Sequence, residues 1–92
     1  PTLETLCGDF VSYTVPQHIR LDSVQDSVEV SFRVRRSFQK SRVLVTDSTG
    51  AVIARFSRRF MAPGEMEHIT LPKILLEKAH GALRVSCEEV AE

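Results

Sequence analysis

The chain has no tryptophan and one tyrosine, Tyr13. That excludes the Cys–Trp–Cys core of antibody domains and disfavours an aromatic-lined carbohydrate groove. It also lacks asparagine, so it carries no N-glycosylation sequon. Its four glycines, Gly8, Gly50, Gly64 and Gly81, are too scattered for a phosphate-cradling loop or a dinucleotide fingerprint. The two cysteines, Cys7 and Cys87, lie far apart, which is a weak disulfide signal. No apolar run is long enough to span a membrane, and the N-terminus has neither region of a signal peptide. These absences favour a cytoplasmic setting.

The 92 residues suit one domain, with hydrophobic content of 42% and charged content of 26%. A chain of this size buries roughly 60–65% of its unfolded surface, enough for one core without staples. It begins at Pro1 rather than Met, as expected of a piece of a longer protein, and residues 1–7 read as a linker entering a domain at 8–90.

Period-two alternation dominates the rest. "SVEVSFRVR" sets Val28, Val30, Phe32 and Val34 on one face, with Glu29, Ser31, Arg33 and Arg35 on the other. Val43 and Val45, then Val52, Ala54 and Phe56, then Ile69 and Leu71, and finally Leu83, Val85 and Cys87 continue the inward set. Near the start, Val11, Tyr13 and Val15 alternate, Pro16 interrupts, and Ile19 and Leu21 resume. Proline lacks the ladder N–H and belongs on an edge strand or at a break. This stretch therefore reads as one split edge strand that serves one sheet before the kink and the other after it. "DSTG" at 47–50 reads as a hairpin and "APGE" at 62–65 as a type II turn. Pro72 and Gly81 bracket one short helical turn near 73–79. The expectation is an all-β antiparallel sandwich of about seven strands, of immunoglobulin or fibronectin type.

Chemistry is sparse. His18, His68 and His80 are not at metal-ligand spacing, with or without the cysteines. No nucleophile elbow or Ser–His–Asp set can be assembled, so no catalytic, cofactor or metal residue is assigned. Charge is the informative feature. Net charge is zero, yet residues 33–59 carry +7 while residues 1–32 carry −4 and residues 60–92 carry −3. Nucleic acid is disfavoured as a partner, because the total is neutral and few aromatics interleave with the arginines. Two further readings of the basic block stay open: a solvated sheet face whose basic side chains pair with Glu29, Glu67 and Glu88, or a docking surface expected at Arg55, Arg58, Arg59, Phe60 and Met61, with Leu44 and Ile53 as further exposed apolar side chains.

Three stretches, "FVSYTVPQHI" at 10–19, "VEVSFRVRR" at 28–36 and "RRFMAPGEMEHITLP" at 58–72, resemble a known group. Together they look like the C-terminal tail domain of bacterial FAD/NAD(P)-dependent oxidoreductases. These belong to the pyridine nucleotide-disulphide oxidoreductase superfamily, in forms associated with anaerobic glycerol-3-phosphate metabolism. The resemblance covers residues 8–90. It implies that FAD and NAD(P) sit in upstream catalytic domains, and that this segment packs on those domains or mediates assembly, including homo-oligomer formation. The alternative is an independent protein- or peptide-binding module of a multidomain protein.

Overall fold

The computed structural model describes residues 2–90. Among them eight strands run in chain order: β1 Thr2–Cys7, β2 Val11–Val15, β3 His18–Arg20, β4 Ser27–Val34, β5 Phe38–Thr46, β6 Val52–Met61, β7 Glu67–Pro72 and β8 Leu83–Glu89. A 3-10 turn at Leu21–Ser23 follows β3, and one short helix, α1, Lys73–Glu77, follows β7. Pro72 precedes α1, where its missing N–H costs nothing. The strands form two sheets, β3-β1-β8-β5-β6 and β2-β4-β7.

Residues 2–7, expected as a linker, form β1, an interior strand of the larger sheet; Pro1 lies outside the described residues. The pattern "TLETLC" hides this strand, because only Leu3 and Thr5 are buried and one of them is polar. β1 runs antiparallel to β3 but parallel to β8, so the expected all-antiparallel arrangement fails at one pair. Gly8 closes that junction. Its N–H donates to the Val85 carbonyl at 2.7 Å, and a side chain there would overlap the Ser86 hydroxyl.

The split edge strand is present as β2 and β3. β2 borders the smaller sheet and β3 the larger, with the cis Val15–Pro16 peptide between them. Both sheets contribute to one hydrophobic cluster, which includes Phe32, Val43, Ile69, Leu71 and Val85. Leu76 of α1 is fully buried in it.

Four side chains expected inside or outside lie on the opposite side, and each sits beside a break in alternation. A register shift between Val11 and Tyr13 makes Ser12 an extra residue. Beyond it Thr14 turns inward, while Tyr13 and Val15 face solvent. A second shift opposite Val45 and Thr46 makes Ile53 the extra residue and turns Val52 outward. At the far end of the β5–β6 ribbon, Ser41 and Phe38 are both buried although three positions separate them. Lys40, between them, has φ 50. Pairing stays in register there, Ser41 with Arg58 and Phe38 with Met61, so both strands turn over together. Met61 is thereby fully buried rather than exposed.

Turn chemistry fixes the other end of that ribbon. Asp47 accepts from the Thr49 hydroxyl at 2.6 Å, the Thr49 N–H at 2.9 Å and the Ala51 N–H at 3.2 Å. Its second oxygen accepts from the His80 N–H at 3.0 Å, tying the hairpin to the loop before β8. Gly50, at φ 88, supplies the left-handed residue. In "APGE" the Glu65 N–H does reach the Ala62 carbonyl at 3.0 Å. Gly50 and Gly81 are the described glycines with positive φ, so Gly64 does not make the expected type II turn.

The hydrogen bonds of Asp47, led by the Thr49 hydroxyl and then the His80 N–H, lower its carboxyl from 3.8 to about 2. A depressed folded-state value means that this stabilisation is complete above the unfolded value and is lost as pH falls. Unfolding measured across pH should therefore show stability declining from about pH 4 through about pH 2. Asp47→Asn should lose the part of that decline due to this group. An unchanged acid profile in the variant would contradict the assignment.

Candidate docking surface on β6

β6 is the border strand of the larger sheet, hydrogen-bonded to β5 on one side only. The five side chains expected to form a docking surface separate into three groups. Met61 is in the core, for the reason given above. Arg58 is half-buried and held in place: Nε lies 3.2 Å from Glu67 Oε1, while the two terminal nitrogens donate to the His68 carbonyl at 2.8 Å and the Ser57 carbonyl at 3.1 Å. Its guanidinium also lies 5.9 Å from the Phe56 ring centre. Arg58 thus links the border of the larger sheet to β7 of the smaller one. Arg55, Arg59 and Phe60 are exposed, Phe60 at 53%. Leu44 and Ile53, expected to be exposed, are half-buried.

Most of the basic block is used within the fold. Arg36 lies 3.0 Å from Glu89 and over the rings of Phe10 and Phe38, at 5.0 and 4.4 Å. Arg42 pairs with Glu88 at 3.5 Å. Arg33 donates to the Tyr13 hydroxyl and the Pro63 carbonyl, and Arg35 to the Val11 carbonyl. Glu29, expected opposite an arginine, is near His68 instead, at 3.7 Å. Among the described residues, Arg55 and Arg59 have neither an ion pair nor a hydrogen bond, so they carry the unneutralised part of the basic block.

A surface depression of about 370 Å³ adjoins them, lined by Lys40, Ser41, Ser57, Arg58, Arg59 and Val90. It lies where the β5–β6 ribbon turns over and where the Val90 N–H meets the Lys40 carbonyl at 2.7 Å. No sequence pattern groups Lys40, Ser41, Ser57 and Val90. Nothing in a strand pattern signals that Lys40 takes a positive φ.

The remaining candidates stay apart. Among the described residues, no three histidine, cysteine or acidic side chains come together as a metal site. Both thiols are free, Cys7 exposed and Cys87 buried. Burial, aided by the charge of Glu67 and opposed by Arg58, pushes the Cys87 thiol up to about 12, so it packs as a small apolar side chain. No helix among the described residues is long and apolar enough to cross a membrane. Comparison of the chain with protein-family models, curated proteins and solved structures returned no match.

The two arginines at 58 and 59 should behave differently on truncation. Arg58→Ala strands the largely covered Glu67 carboxylate and should cost about 1–3 kcal/mol in urea unfolding. Arg59→Ala should fall within about 0.5 kcal/mol of the parent chain. Equal losses would contradict the division of roles along β6.

Proposed function

We propose that the chain is a non-catalytic accessory domain that docks on other protein surfaces through β6. The observation that carries this reading is the exposure of Arg55, Arg59 and Phe60 on one border strand, with neither arginine engaged by a described residue. Exposed arginine beside an aromatic is the composition enriched in interfaces. The finer architecture in this reading is an immunoglobulin-like sandwich. The two sheets around one core and the border strand that changes sheets support it.

The host in this reading is a cytoplasmic bacterial flavin-dependent pyridine nucleotide oxidoreductase, with the domain packing on its catalytic domains or mediating assembly. The support is the resemblance of the three stretches around Val15-Pro16-Gln17, Phe32-Arg33-Val34 and Pro63-Gly64-Glu65-Met66. FAD and NAD(P) belong to the catalytic domains here, and no step through them is assigned to this chain. The second reading, an independent protein- or peptide-binding module, draws on the same exposed surface without the host.

Visible absorbance of the protein encoded by the full parent reading frame separates the two. A flavin spectrum is expected, and deletion of residues 1–92 should then lower turnover or change the assembly state on gel filtration. A parent that remains colourless after incubation with FAD would overturn the oxidoreductase host and leave the independent module.

A further inference from the structure

We infer that β6 and the depression beside it receive an acidic segment of a protein partner. One carboxylate sits against Arg59 and the Ser57 hydroxyl in the depression, a second meets Arg55, and an apolar side chain rests on Phe60. The inference deepens the docking reading and rests on it, but it does not depend on the flavoenzyme host.

The charge on the page selects the occupant. Arg55 and Arg59 are exposed without a partner among the described residues. Arg58 is already committed to Glu67. On the wall of the depression the exposed Arg59 offers an anion charge and the exposed Ser57 hydroxyl a hydrogen-bond donor, whereas the buried Ser41 hydroxyl is spent on the Arg58 carbonyl. Four positions separate Arg55 from Arg59, roughly 13 Å along a strand, so an extended segment with acids at alternate positions reaches both.

A second copy of this chain fits poorly. Two β6 strands related by a two-fold axis would place Arg55, Arg58 and Arg59 of each against those of the other, and like charges directly opposite are destabilising. Simple addition of a strand to the border is also obstructed. The guanidinium of Arg58 already occupies the Ser57 carbonyl in the middle of β6. Such blocking is one way in which proteins protect an open border. Recognition therefore falls to side chains rather than to a new ladder of backbone hydrogen bonds.

The test is an NMR amide titration of the 92-residue chain with a synthetic octapeptide alternating glutamate and valine. The lysine–valine counterpart and an oligothymidylate of equal length are run in parallel. The expected result is saturable binding of the acidic peptide, with shifts confined to β6, residues 40–41 and Val90, weakening at high salt. Joint reversal, Arg55→Glu with Arg59→Glu, should weaken that binding roughly tenfold or more. If the reversed variant loses amide dispersion, Arg59→Gln is read instead and should weaken binding several-fold. Equal binding of the acidic and basic peptides, shifts away from β6, or no binding would overturn the inference. Tighter binding of the oligothymidylate would also overturn it, in favour of phosphate recognition. These outcomes are independent of the parent's absorbance and turnover, so failure here leaves the accessory-domain reading to be judged separately.

Discussion

A short chain of buried hydroxyls holds the crossing point between the two sheets, and the rest of the architecture is arranged around it. Thr5, on β1 of the larger sheet, donates its hydroxyl to the Pro16 carbonyl at 2.5 Å. Its Oγ1 also lies 3.0 Å from that of Thr14, on β2 of the smaller sheet. Each hydroxyl has a single proton, so with Thr5 donating to Pro16, Thr14 must donate to Thr5. The Thr5 N–H adds a backbone bond to the Gln17 carbonyl at 2.8 Å. Both threonines are buried, at 5% and 2% exposure, where an unmade hydrogen bond is costly. The arrangement requires Thr14 to face inward, and the extra residue at Ser12 brings that about.

The same kind of local phase change sets the surface at the opposite end of the fold. Where β5 and β6 turn over together, Phe38 and Met61 enter the core and Phe60 leaves it. Arg58 then ties β6 to β7, which leaves Arg55 and Arg59 on either side of a fixed point. Packing and surface charge are thus coupled through one strand. The residue that anchors β6 to the other sheet also covers part of its open backbone.

How far the sequence reveals this follows from where alternation is continuous. Val28, Val30, Phe32 and Val34 are legible because β4 has no irregularity, and the split at Pro16 is legible because proline cannot stay in a ladder. Tyr13, Val15, Val52 and Met61 are misread because a single extra residue, or a turning-over of the ribbon, reverses the side chains on its far side. Neither event changes composition. β1 is not legible because a buried threonine in "TLETLC" looks polar until its partner, Thr14, is known. Of the candidate surface on β6, Arg55, Arg59 and Phe60 are legible only as basic side chains beside an apolar one, in the stretch that carries +7. The engagement of Arg58 was not, since it depends on Glu67 and His68 reaching β6 from the other sheet.

A double-mutant cycle on Thr5→Val and Thr14→Val, read by urea unfolding, tests the crossing-point account most directly. Thr5→Val should be the more damaging single change, at about 1–3 kcal/mol, because it strands both the Thr14 hydroxyl and the Pro16 carbonyl. Thr14→Val should cost less, since Thr5 keeps its bond to Pro16. The two should couple by about 0.5 kcal/mol or more. Losses that add to within about 0.3 kcal/mol would contradict the account, and the two sheets would then owe their union to the apolar core alone.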